Sequence, residues 1–110
     1  MARDFGLEDL IRQALPRDVA LTEKAMFGGI AWLLNGSLML GSRHDGMLVR
    51  LGKGNDGWAL ALSDVGPMMM RDRRMEGWVR AGPAAYGDDA LLARLIEEAL
   101  KFVRSLPPKV

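Results

Sequence analysis

Lys24-Ala25-Met26-Phe27-Gly28-Gly29-Ile30-Ala31-Trp32-Leu33-Leu34-Asn35-Gly36 decides how this chain is read. Residues 22–27 are read as a strand, with Thr22, Lys24 and Met26 on one face and Glu23, Ala25 and Phe27 on the other. Two glycines then lead into the apolar run 30–34. Glycine accepts backbone angles that side chains forbid, so the pair marks a sharp bend, a bulge or a close chain approach. We read 22–34 as one bent strand with a glycine bulge; a tight hairpin through Gly28-Gly29 is the alternative. Met26, Phe27, Gly28 and Gly29 serve architecture in either case.

Outward from this stretch the hairpin signals repeat. Asn35-Gly36 tolerates the positive φ that a type I′ turn needs, and Asp45-Gly46 repeats the device. Between and after them run the strand segments 38–41 and 47–51. A glycine-rich link, 52–57, precedes a short helix over 58–62, with Asp56 as its cap and Gly66-Pro67 as its stop. Residues 68–75 and 77–81 read as two further strands, and Gly82-Pro83 closes the sheet region. At the N-terminus Leu7, Leu10, Ile11, Ala14 and Leu15 recur at helical spacing, behind Asp4 as cap and before Pro16 as stop. The last helix is the clearest element. Asp88 and Asp89 open it, Leu92, Leu95, Ile96, Ala99, Val103 and Leu106 line one face, and Pro107-Pro108 ends it. The order is α-β-β-β-α-β-β-α. Short antiparallel connections with helices over one face give an α+β two-layer sandwich, an antiparallel sheet covered by helices.

The 110 residues fit a single domain, 1–110, with no repeat and no linker. A formal net charge of +1 sets up no field that draws the whole molecule to nucleic acid or anionic lipid. Cysteine is absent, which points to the cytoplasm and removes thiolate metal sites and thiol nucleophiles. The N-terminal residues lack the basic start and apolar run of a signal peptide, and no segment reaches the length of a membrane span.

The chemistry-bearing candidates are few. Gly52-Lys53-Gly54-Asn55-Asp56-Gly57 matches the dinucleotide pattern G-x-G-x-x-G, but it follows a hairpin strand rather than a βαβ unit, and Asp56 puts negative charge where phosphate belongs. His44 is the lone histidine, set in a turn. Ser42, His44 and Asp45 lie too close along one hairpin for a nucleophile–base–orienter geometry. No catalytic residue, cofactor-binding residue or metal ligand is assigned, and the chain is expected not to be an enzyme. Trp32, Trp58 and Trp78 are read as core anchors. In Met68-Met69-Met70-Arg71-Asp72-Arg73-Arg74-Met75, methionine adapts to irregular partners and arginine grips carboxylate or phosphate. Alternate methionines packing under helices, with the arginines in a turn, is the plainer reading. Met69, Arg71, Arg73 and Arg74 are nevertheless the candidate partner-binding residues.

Lys24-Ala25-Met26-Phe27-Gly28-Gly29-Ile30-Ala31 with Leu34-Asn35-Gly36, then Asp45-Gly46-Met47-Leu48-Val49-Arg50-Leu51-Gly52, resembles the TfoX/Sxy N-terminal domain family. Met75-Glu76-Gly77-Trp78-Val79 and Ala99-Leu100-Lys101-Phe102-Val103-Arg104-Ser105-Leu106-Pro107-Pro108-Lys109 extend the likeness over nearly the whole chain. The resemblance implies an α+β domain with an antiparallel sheet, similar to secretion-chaperone-like folds. It also implies a bacterial protein related to regulators of natural competence, which act as transcriptional co-activators beside a cyclic-AMP-responsive regulator. Members with that role carry a second, C-terminal helical domain that the 110 residues do not contain. No family catalytic residue is carried over. The expectation is a cytoplasmic, non-enzymatic protein-interaction or regulatory domain whose partner is an unknown protein, with transcription machinery the class the resemblance suggests. Two alternatives stand beside it: weak nucleic-acid binding through Arg71, Arg73, Arg74 and Arg80, and a small-ligand site around 52–57.

Overall fold

The computed structural model describes residues 4–26 and 28–107; Phe27, Pro108 and Lys109 lie outside the described residues. Helix α1 (Phe5–Ala14) is followed by strands β1 (Thr22–Met26), β2 (Gly29–Leu34), β3 (Ser37–Arg43) and β4 (Gly46–Arg50). A single turn, α2 (Gly57–Leu60), leads to β5 (Val65–Met70) and β6 (Arg73–Ala81), then to α3 (Pro83–Tyr86) and α4 (Asp89–Arg104). The strands form one six-stranded sheet in the order β1-β2-β3-β4-β6-β5, with every pairing antiparallel. The α+β class and the helix-covered antiparallel sheet are as the sequence predicts, and the element list needs four corrections.

The stretch 22–34 is two strands, not one bent strand. Met26 pairs with Gly29, and the register runs back to Thr22 against Leu33, so the chain reverses between Met26 and Gly29. Gly28 sits at φ +76°, the left-handed geometry of a two-residue hairpin loop. A bulge does exist, but farther on, between Trp32 and Leu33.

Gly66-Pro67 does not stop a helix; it lies inside β5. Proline lacks a ladder donor and is tolerated only where one side of the strand is unpaired, and β5 is the sheet edge. Gly77 does not separate two strands either. At φ +82° it bulges the single long strand β6, and its carbonyl accepts from the backbone N–H groups of Leu51 and Gly52 at 2.8 and 3.1 Å. The turn falls instead at Arg71-Asp72, with Arg71 at φ +57°. Finally, α3 is a one-turn helix that the sequence reading left out.

The terminal helices form for the expected local reasons. The Asp4 carboxylate accepts from the Leu7 N–H at 3.0 Å, and Asp88 accepts from the Ala90 and Leu91 N–H groups at 3.0 and 3.2 Å. Leu92, Leu95, Ile96, Ala99, Leu100 and Val103 of α4 are buried against the sheet. Burying each large aliphatic side chain stabilises the fold by about 2 kcal/mol. With them pack Leu7 and Ile11 of α1, Trp32, Met39, Met47 and Val49 of the sheet, and Ala59 and Ala85 of the short helices. A second, smaller cluster of Leu48, Met68 and Trp78 sits on the opposite sheet face, with Leu38 and Met75 beside it. Among the described residues, no helix residue belongs to that cluster.

Candidate functional site

The four candidate residues fall at the far end of the β5–β6 hairpin. Met69 pairs with Arg74 and Met70 with Arg73, with Arg71-Asp72 as the connecting turn. Successive residues of a strand point to opposite faces. Met69 and Arg74 therefore face the side of α2, and Met70 and Arg73 face the side that bears Met68 and Trp78. The structure brings the candidates to one hairpin tip but divides them between its two faces. Met69 and Met70 are among the large apolar side chains left in solvent, at 47% and 37% exposure. Met68, one residue earlier, is buried.

The arginines do not act alike. Arg74 Nη2 donates to Asp56 Oδ2 at 3.3 Å, so that cation is engaged. This also corrects the role given to Asp56: its side chain makes no capping bond to α2 and instead ties the hairpin to the loop before that helix. Arg71 and Arg73 are exposed and have no ion pair among the described residues. Arg80, at the other end of β6, donates to the backbone carbonyl of Asp45 at 3.0 Å. The arginines of the nucleic-acid alternative therefore form no continuous patch.

The remaining candidates are placed as follows. Residues 52–57 border an open cleft of about 580 Å³ against the C-terminal half of α4, with Leu51, Trp58 and Phe102 on its walls. Glu98 and Lys101 both line it, and a pyrophosphate would meet the Glu98 carboxylate. Helix α2, at four residues, is too short to present an anion-binding end. Trp58 is covered by the guanidinium of Arg94, 3.9 Å from the ring centroid, while Trp32 and Trp78 are buried as anchors.

Ser42 is buried on the helix side, His44 is exposed in the β3–β4 turn, and Asp45 is held by Arg43 through two hydrogen bonds of 2.8 and 2.7 Å. Burial pushes the Asp45 carboxyl up, but the Arg43 hydrogen bonds and charge outweigh it and hold the group below its usual value. These three side chains do not converge. Among the described residues no group of three or more His, Cys, Asp or Glu could hold a metal ion, and no helix is long and apolar enough to cross a membrane.

One charged constellation escaped the sequence reading. Arg12 of α1 donates from Nε and Nη2 to the two carboxylate oxygens of Glu23 on β1, at 3.0 and 2.9 Å. These hydrogen bonds lower the Glu23 pKa against the opposing pull of burial. The buried Trp32 indole N–H meets no acceptor in full hydrogen-bond geometry, yet it lies near enough to Glu23 to help keep that carboxylate ionised. The arrangement fastens α1 to the sheet edge and has no reactive group. Arginine and glutamate separated by a helix and a loop carry no spacing signal that would have revealed it.

No curated protein and no solved structure matches the chain significantly. The family model of the TfoX N-terminal domain matches residues 13–103, which run from the last turn of α1 through all six strands and into the last turn of α4. The chain belongs to the TfoX N-terminal domain family.

Proposed function

We propose that this domain is a non-enzymatic protein-interaction module of regulatory type, and that the β5–β6 hairpin tip is where its partner sits. The observation that carries the reading is the edge strand β5. It ends in two solvent-exposed methionines, followed by two arginines without ion-pair partners among the described residues. A free strand edge offers backbone donors and acceptors, methionine moulds to a partner surface, and arginine selects for carboxylate. Pro67 blocks augmentation in mid-strand, so the usable edge is the Met-rich end. Family membership supports a competence-regulator-like domain; a cytoplasmic place of action and a component of the transcription machinery as partner class are further parts of this proposal.

The test is site-specific photo-crosslinking in living cells, with benzoylphenylalanine at Met69 and, as control, at exposed Ala93 on α4. The expected result is a discrete adduct at position 69 that is absent at 93 and lost in an Arg71→Glu/Arg73→Glu background. Equal labelling at both positions, or no adduct at 69 under several growth conditions, overturns the reading.

A further inference from the structure

The chain carries 15 Lys and Arg against 14 Asp and Glu, so its charges nearly cancel overall. They do not cancel face by face. Cross-strand partners share a face, and the registers link Lys24, Ala31, Gly41, Leu48, Arg80 and Gly66 into one row across the sheet. Leu48 belongs to the apolar cluster that includes no helix residue, so this row lies on the helix-free face. A neighbouring row carries Leu33 and Leu38, and beyond them Arg50 paired with Trp78. Arg43 and Arg73 fall on the same face through their pairing with Gly46 and Met70.

No strand residue on this face is acidic. The strand carboxylates, Glu23 and Glu76, stand on the other side, and Asp45 and Asp72 occupy turns at the margin. Arg43 is bound to Asp45, and Arg50 is committed to the Leu38 carbonyl at 3.2 Å and to the rings of Trp78 and Phe102. Lys24 and Arg73 have no partner among the described residues, and Arg80 spends one N–H on Asp45. Half-buried Leu33, Leu38 and Met75, with exposed Met70, lie among these cations.

We infer that the helix-free sheet face docks an acidic, amphipathic polypeptide segment, a partner class that rests on the interaction reading above. The chemistry selects this occupant over nucleic acid. A phosphate backbone would use the cations but gain nothing from leucine and methionine between them. Base stacking would need an open aromatic face, and Trp78 is only 8% exposed. Carboxylates interleaved with apolar residues use both. Lys24 and Arg80 stand four strand spacings apart in one row, about 19 Å, which a helix of about 13 residues spans. Ala31, Gly41 and Leu48 between them are buried, so the apolar contacts come from half-buried Leu33, Leu38 and Met75 and exposed Met70, and the partner segment carries carboxylates at both ends with apolar residues between.

Titration of the isotope-labelled full chain by two-dimensional NMR at about 0.15 M salt tests this with three probes. They are a 14-residue acidic amphipathic peptide, poly-glutamate of equal charge, and a 14-nucleotide oligo-thymidylate. The expected result is amide shifts at residues 24, 33, 38, 73 and 80 with the amphipathic peptide, and clearly weaker binding of the other two. A Lys24→Glu/Arg73→Glu variant changes exposed side chains only, keeps the spectral dispersion of the fold, and binds at least about tenfold more weakly. Shifts confined to α1 and α4, equal binding of poly-glutamate, or tighter binding of the oligonucleotide overturns the inference. A position-69 crosslink without peptide binding defeats this inference and leaves the interaction reading standing; peptide binding without that crosslink upholds this inference and removes only the placement of the partner at the hairpin tip.

Discussion

Gly28 and Gly29 are adjacent but are glycine for different reasons, and the difference can be measured. At Gly28 the reason is the backbone angle: φ is +76°, while an added Cβ would meet nothing within 4 Å. An L-residue in that geometry costs about 1–2 kcal/mol. At Gly29 the reason is space. An added Cβ would overlap the Ser42 carbonyl oxygen of β3 and lie 2.9 Å from its carbon. Those are backbone atoms of a paired strand and cannot swing aside, so β2 and β3 would have to separate. Gly29→Ala is therefore expected to cost about 3 kcal/mol or more, the upper range for overpacking. For a domain of 110 residues each kcal/mol is worth about 4 °C in Tm. The expected losses are thus about 4–8 °C for Gly28→Ala and about 12 °C for Gly29→Ala. Circular dichroism through thermal and urea unfolding reads both. Asparagine tolerates the left-handed region, so Gly28→Asn should be milder than Gly28→Ala, whereas Gly29→Asn should be no better than Gly29→Ala. The reasoning is refuted if Gly29→Ala proves as stable as Gly28→Ala.

Asp88→Ala removes the acceptor for two N–H groups at the start of α4 and should lower stability by about 1 kcal/mol, read as a lower urea midpoint at unchanged slope. Leu95→Ala, at a position with 0% exposure between α4 and the sheet, should cost about 3 kcal/mol in the same assay. Glu23 titrates below its ordinary value because Arg12 holds its ionised form, so its contribution is present above the unfolded carboxylate pKa and is lost as pH falls through the lowered one. Both side chains are partly solvated, so Glu23→Gln should cost only about 0.5 kcal/mol near pH 7, and the gap to the parent chain should narrow as pH falls below the ordinary carboxylate range.

The sequence exposes elements whose cause is local and hides those whose cause is a neighbour. Asp4 and Asp88 cap their helices because the acceptor and the free N–H groups lie within three residues. Asn35-Gly36 turns the chain where strand-flanked turn residues say it should, whereas the second turn falls one residue early, at His44-Asp45, with Gly46 already paired to Arg43. A bulge and a hairpin both ask for glycine at position 28, and they differ only in whether 22–26 folds back on 29–33, which no local pattern records. Pro67 reads as a stop because proline removes a donor; the loss is harmless only at a sheet edge, and edge position is a property of strand order. Helix α3 has a single turn and so no period to detect. The candidate hairpin was visible as a Met- and Arg-rich run, but its division between two faces was not. The sorting of cations onto one face depends on strand parity through several successive registers.

The free edge at β1 carries its own safeguard. A symmetric dimer that extended the sheet through this strand would need a two-fold axis perpendicular to the sheet, which sets residues of like parity opposite one another. The one alignment that engages all of Thr22–Met26 centres on Lys24 and brings the ammonium groups of both copies together. Sliding the centre to Glu23 or to Ala25 leaves only three residues of Thr22–Met26 opposite one another. The molecule thus discourages zippering with itself along the border where its backbone is most open to it.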